Sequence, residues 1–397
     1  MDQIIKSVLD DDMYKVTMQN AVVAQYPNAI ARYQFINRGK TKFPQGFASL
    51  LREQVDLCNN LSMTMDEKEF ISRKCYFLHP PFIDFLYGFK FNPSEVSIFQ
   101  VDDDLEISIE GPWYSAIRWE VVLMAMISEL YFKVSKNIIL TAPNLLDTPT
   151  QVEENAILKL TKLKDANIKY ADFGTRRRFS YNVQNKVVET FKKYGGNLFS
   201  GTSNIHLAMI NDITPIGTQA HEWFSFHGAK YGFKMANTSA MGKWVDTYHG
   251  NLGIVLPDTF GTSNFWKSFD SFYARLFDGV RHDSGDPIKF GENTISHYNN
   301  LRIDPRGKTI VFSDGITTDE AVRIQKYFKD RIKISFGIGT HFTNDVGALP
   351  LNMVIKMIQC KPDKNSDWLH TIKLSDVQGK HTGDPETVAL CKKTLLV

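Results

Sequence analysis

The sequence predicts an α/β protein, an irregular parallel α/β barrel joined to a second, smaller α+β domain. Three observations predict it. From about residue 150 onward, short apolar runs alternate with helical patterns, the texture of a parallel sheet with helical crossovers. Most of those runs end in Gly, Asp, Arg, Thr or His, as strands do where a barrel carries its site on the carboxyl face. The first third lacks this alternation and reads as helices around a hairpin.

The chain of 397 residues is long enough for one large domain and a smaller one. We expect an N-terminal α+β domain over 1–135, joined by the C-terminal segment 360–397, and a barrel over 136–359. Hydrophobic content of 43% and charged content of 23% are those of an ordinary globular protein. A net charge of +2 argues against a dedicated nucleic-acid surface and leaves room for a local basic pocket. Cys58, Cys75, Cys360 and Cys391 are scattered, so they read as reduced thiols of a cytoplasmic protein rather than a zinc or disulfide frame. Met1-Asp2-Gln3 begins no signal peptide, because Asp10, Asp11 and Asp12 interrupt the early apolar run. The apolar stretch Trp119 to Phe132 contains Glu120 and Glu129 and is too short to span a bilayer.

In order, Tyr14 to Tyr26 reads as a helix closed by Pro27, and Ala31 to Ile36 alternates as a strand into the basic turn Asn37-Arg38-Gly39-Lys40. Helical patterns cover Phe47–Leu57 and Asp66–Arg73, and a hairpin joins Val96–Val101 to Leu105–Ile109 across three aspartates. Eight short strands follow: Ile168–Ala171, Asn197–Phe199, Ile213–Ile216, Leu252–Leu256, Asp278–Val280, Thr309–Phe312, Ile332–Phe336 and Met353–Met357.

The strand ends form one constellation, organised around Gly217-Thr218-Gln219-Ala220-His221-Glu222-Trp223. Imidazole is uncharged and nucleophilic near neutral pH, so His221 can take a phosphoryl group or a proton; capping a buried helix is its other reading. Glu222 suits a helix N-terminus, where negative charge is favoured. Gly339 and Thr340 offer backbone N–H groups to a phosphate, or make a plain turn, and Gly315 is grouped with them. Asp283 and Asp314 can hold ribose hydroxyls, or magnesium through water, or can serve turns. Arg176 and Arg281 are planar forks for carboxylate or pyrophosphate, while Arg177 and Arg178 read equally well as a solvated helix start. Phe173 can lie flat on a heteroaromatic ring or belong to the core. Such a pocket fits a phosphorylated ribose and a small anionic ring.

Asp12-Met13-Tyr14-Lys15-Val16-Thr17, Asp172-Phe173-Gly174-Thr175-Arg176, Gly201-Thr202-Ser203, Gly217 to Glu222, Arg281 to Asp286 and Gly337-Ile338-Gly339-Thr340 together resemble the nicotinate phosphoribosyltransferase family, in order over nearly the whole chain. The resemblance implies a type II phosphoribosyltransferase fold. It implies that nicotinate and phosphoribosyl pyrophosphate give nicotinate mononucleotide and pyrophosphate, coupled to ATP hydrolysis with Mg2+ held through phosphates, as the first step of NAD salvage. His221 would be phosphorylated, Asp258 would orient it, and Glu222 would complete the catalytic set. Phe173 would stack on nicotinate, with Tyr14 on the other side from a second subunit. Thr202, Ser203, Arg176, Arg281, Asp283 and Asp314 would bind substrates, and Arg38 and Lys40 of the second subunit would reach phosphates, giving a homodimer with shared sites. The related nicotinamide enzyme places an aspartate where this chain has Ser203, whose hydroxyl can donate to a carboxylate without repelling it. A non-catalytic phosphoribosyl-binding barrel is the rival from another class.

Overall fold

The computed structural model describes residues 2–135, 145–376 and 381–396. In chain order the strands are β1 (Ile30–Ile36), β2 (Val96–Val101), β3 (Asp104–Pro112), β4 (Tyr170–Asp172), β5 (Phe199–Thr202), β6 (Ile254–Val255), β7 (Gly279–His282), β8 (Thr309–Phe312), β9 (Lys333–Ile338), β10 (Val354–Lys361) and β11 (Leu369–His370). They make two sheets of opposite kind. One is antiparallel, in the order β11-β10-β1-β3-β2, and the other is parallel, in the order β5-β4-β9-β8-β7-β6. The α/β class with a second, antiparallel sheet is therefore as the sequence predicts.

Closure of the parallel sheet differs from the expected barrel. Ile213–Ile216 forms no ladder strand and makes a single parallel bridge, Thr202 to Pro215. Pro215 has no N–H to give a ladder, so a four-residue run centred on it cannot pair regularly. The last gap, toward β6, is spanned by the Thr218 hydroxyl donating to the Ile254 carbonyl at 3.0 Å. The other difference is Met353–Met357, expected among the parallel strands. It lies in β10 and runs antiparallel to β1, and its burial alternates along much of its length. That is the signature of a strand with one covered face, not one buried on both faces. The domain boundary expected at 136 falls outside the described residues.

The helix Trp119–Val134 is buried from Trp119 through Phe132, so it is a core element with no solvent face. Its two acids are therefore paired: Glu120 with Lys15, and Glu129 with Lys133 and the Tyr181 N–H. The N-terminal acids are likewise buried, as cross-links to the segment after β4 and to the start of the helix Trp119–Val134. Asp10 takes both terminal nitrogens of Arg178 at 2.6 and 2.9 Å, and Asp11 takes Arg118 Nε at 2.6 Å. Arg178 is thus fully buried, a correction to its reading as a solvated helix start. No helix among the described residues is long and apolar enough to cross a membrane.

Candidate active site

A cavity of about 360 Å³ lies at the carboxyl ends of the parallel strands, walled on its other side by Tyr14, Glu120, Lys356 and Lys373. The strands stop there in residues without bulk or with polar tips. Phe173, directly after β4, is half-buried and lines the cavity. Its ring rests on Gly337, where an added Cβ would stand 2.3 Å from the ring atoms Cδ2 and Cε2. That is far inside any real contact, so glycine at the end of β9 is what admits the plate. Gly217 does the same for the start of the helix Met13–Gln25, since a Cβ there would stand 2.5 Å from the Tyr14 nitrogen. Tyr14 consequently reaches the pocket of its own chain. A second subunit was expected to supply this tyrosine, whereas here the chain's own Tyr14 lines the pocket.

Beside Phe173, Arg176 faces Glu120 at 3.7 Å, and Glu120 holds Lys15 at 2.6 Å. Lys15 also pairs with Glu222, whose other oxygen accepts from Tyr33 and Trp113 at 3.1 and 3.3 Å. Burial opposes the charge on Glu120, but Lys15, Lys356 and Arg176 outweigh it and hold its carboxyl at about 2. Burial together with the nearby Glu120 pushes Glu222 up instead. Glu222, expected among the catalytic residues, therefore has both oxygens engaged in a packed ion network. Lys356 lines the same cavity, and burial aided by Arg176 and Lys373 pushes it down to about 8.

Around His221 the arrangement is different. Its Nε2 lies 2.9 Å from Asp283 Oδ2, 2.8 Å from Lys373 Nζ and 3.6 Å from Asp258 Oδ1. Its Nδ1 meets the Thr259 hydroxyl at 3.0 Å. Burial lowers the His221 pKa and Lys373 adds to it, so the neutral ring is favoured near neutral pH despite two adjacent carboxylates. His221 opens the helix His221–Tyr231, whose N-cap is Ala220 with no side-chain cap bond. The capping role therefore has no hydrogen bond to support it. Asp258 faces Nε2 without hydrogen-bond contact and instead takes Lys373 at 3.1 Å and the Ser284 hydroxyl at 2.7 Å. The ring partner on Nδ1 is Thr259, which stands beside Asp258 at the end of the Leu252–Leu256 run and was given no role in the sequence.

Of the remaining expected residues, Ser203, Arg281, Asp283, Gly315, Gly339 and Thr340 line the cavity together. Thr202 does not: it is fully buried and its hydroxyl donates to Asp172 at 2.7 Å. Arg38 and Lys40 are exposed and lie outside the cavity wall, although the charge of Arg38 is felt by Arg177. Asp314 sits between two lining residues, Ser313 and Gly315. Lys356 and Lys373 were missed. The alternation that puts Lys356 on the pocket face of β10 was visible, but β10 was assigned to the wrong sheet.

Fold and pocket define an α/β protein with a cavity lined by charges of both signs at the carboxyl ends of its parallel strands. Comparison with known proteins narrows this. Residues 168–397 match the model of the nicotinate phosphoribosyltransferase family and residues 9–128 match that family's N-terminal domain. A nicotinate phosphoribosyltransferase of Chromohalobacter salexigens is 50% identical over 392 residues, covering 99% of this chain and 98% of the relative. The structure of the Porphyromonas gingivalis nicotinate phosphoribosyltransferase superposes with a TM-score of 0.94 at 44% identity, covering 99% of this chain and 100% of that one. The enzyme of Vibrio cholerae gives 0.89 at 32%, with 100% and 94% covered. The chain belongs to the nicotinate phosphoribosyltransferase family.

Proposed function

We propose that this chain joins nicotinate to the ribose of phosphoribosyl pyrophosphate, releasing pyrophosphate, in a reaction coupled to ATP hydrolysis. The observation that carries this reading is that one cavity holds both an aromatic plate with an adjacent guanidinium and a neutral histidine set among carboxylates. Nicotinate lies on Phe173 with Arg176 toward its carboxylate, and Tyr14 covers it from the same chain. Arg281 and Asp283 take the ribose and pyrophosphate side, with Gly315, Gly339 and Thr340 giving backbone N–H groups to phosphate. The pyridine nitrogen attacks the anomeric carbon as the bond to pyrophosphate breaks, and the protein's part is to align the two and stabilise the leaving oxygens.

His221 accepts the γ-phosphoryl group of ATP: an N–P bond forms, ADP leaves, and water later releases phosphate. Thr259 holds the ring at Nδ1, which leaves Nε2 for that bond. Magnesium prefers oxygen donors, whereas at the cluster of His221, Asp258 and Asp283 the Lys373 ammonium already supplies the countercharge. Asp283 and Asp314 would instead hold the cation through water on the substrate's phosphates, where it offsets charge on the departing group. A second copy of the chain would bring Arg38 and Lys40 to those phosphates. Four buried free thiols suit the cytoplasm. The test is pyrophosphate release with nicotinate, with nicotinamide and with neither. Release with nicotinate alone, stimulated by ATP, is expected, and equal release in all three overturns the reading.

A further inference from the structure

Ser203 has one proton to give, and in this structure it gives it away. Its hydroxyl donates to Asp12 Oδ1 at 2.5 Å, and the Thr175 hydroxyl donates to the same carboxyl. Asp12 and Ser203 both line the cavity, and both are nearly fully buried. Two consequences follow for an anionic ring. With Asp12 ionised, Ser203 can only accept, so it offers nothing to a carboxylate. A second fixed negative charge would also stand beside the incoming one.

The groups facing Asp12 do not remove that charge. Arg176 lies near it but also serves Glu120 at 3.7 Å. From the helix Trp119–Val134, Glu120 adds negative charge, and from its own segment Tyr14 and Asp11 adjoin it, Asp11 being spent on Arg118. From β4, Asp172 adds another carboxyl.

We propose that Asp12 is a specificity-determining residue that takes up a proton when the carboxylate of the substrate ring enters. The proton binds a carboxyl oxygen of Asp12, which then donates to the Ser203 or Thr175 oxygen. Ser203 turns its own proton toward the ring carboxylate. One proton comes from solvent, and no bond in the substrate changes. A neutral amide on the ring needs no such uptake, because its N–H₂ group donates to an ionised Asp12–Ser203 pair. Burial already favours the neutral form of Asp12 and raises its pKa. The inference rests on the reading of this cavity as the nicotinate site.

Calorimetric titration of the full chain with nicotinate mononucleotide and with nicotinamide mononucleotide, at pH 8 in buffers of different ionisation heat, counts the protons taken up. These two nucleotides differ only in carboxylate versus amide, and no pyrophosphate is present to reverse the reaction. Expected is an excess of up to one proton for the acid nucleotide, with its affinity falling by up to about tenfold per pH unit above the free Asp12 pKa. In Asp12→Asn, whose amide imitates the protonated carboxyl, the excess disappears and the acid nucleotide still binds within about threefold of its low-pH affinity. The idea is overturned by no excess in the wild type, or by the same excess in folded Asp12→Asn. Should Asp12→Asn not fold, Ser203→Ala decides: selective weakening of the acid nucleotide supports the relay, and equal weakening of both overturns it. Failure of both nucleotides to bind the wild type sinks the nicotinate reading itself, a separate result.

Discussion

His221 and Glu222 are neighbours in sequence, yet their side chains enter two charge clusters of different character. Successive helical residues point about 100° apart, which is enough to separate them. Glu222 joins Lys15 and Glu120, with side chains 6%, 0% and 6% exposed. His221 joins Asp283 and Lys373, 27% and 15% exposed. In the first cluster both Glu222 oxygens and the Lys15 ammonium are engaged by buried protein groups. In the second, a neutral imidazole, carboxylates and a lysine meet at an open cavity, where a ligand can replace one partner with another. On the proposed reading, the difference separates charges that hold the pocket wall from charges that can meet a ligand, and it groups Glu222 with the wall.

The largest expected effect breaks the wall. Lys15→Met leaves Glu120 and Glu222 buried together without their cation, the situation in which a buried pair costs about 3–5 kcal/mol when one partner is removed. The lost stability should shrink as pH falls from 7 to 5. Without Lys15 both carboxyls have raised pKa values in the folded state, so the fold gains protons on acidification. Thermal melts at the two pH values test this, and a deficit under about 1 kcal/mol that ignores pH would return the network to the surface class.

His221→Ala should do the reverse and spare the fold. Expected is loss of ATP hydrolysis and of acid-labile label from γ-labelled ATP, with ATP-stimulated product formation down by about 100-fold or more. A slow ATP-independent transfer should persist, because the Phe173, Arg176 and Arg281 contacts remain. Label or ATP stimulation surviving in the mutant defeats the assignment, and unfolding would place His221 with the wall. Next in size is Phe173→Ala. Removing the plate should weaken nicotinate by about 1–3 kcal/mol of stacking and burial and leave phosphoribosyl pyrophosphate nearly unchanged. Equal weakening of both ligands argues that Phe173 only packs on Gly337.

Much of this was legible in the chain. The helix expected over Phe47–Leu57 has those bounds in the structure, because an amphipathic period bounded by a glycine turn is a local signal. Strand ends carrying Gly, Asp and Arg located the cavity. What stayed hidden is long-range pairing. Nothing near Lys15 announces Glu222, whose oxygen it meets across a separation of 207 residues, and nothing near Arg178 announces Asp10. The pairing of Thr259 with His221, though not its place at a strand end, was hidden for the same reason. Pro215 was legible as a ladder breaker, and weighing its missing N–H would have prevented the expectation of a regular strand there. β10 was misplaced because its alternation, though visible, was not weighed against the parallel assignment, and its antiparallel register to β1 is a long-range pairing.

The smallest expected effect sharpens the boundary between the two clusters, because Lys356 stands between them. It feels Glu120 and Arg176 on one side and Lys373 and Asp283 on the other, and burial is the main reason that its pKa falls to about 8. An unfolded lysine keeps its proton to about 10.4. Between those values the unfolded chain binds more protons than the folded one, so this group makes stability rise as pH rises through that window. Its effect on ligands has the opposite sign. Pyrophosphate is attracted by the ammonium form, so its affinity should drop by a few-fold as pH passes about 8. Lys356→Met should flatten both trends at once, lowering pyrophosphate affinity at pH 7 to roughly its wild-type value at pH 9. Equilibrium binding of pyrophosphate and chemical unfolding, each at pH 7 and pH 9 in both proteins, provide the measurement. A wild-type pyrophosphate affinity that does not fall from pH 7 to pH 9, or an equal fall in Lys356→Met, would place Lys356 among the fixed charges of the wall.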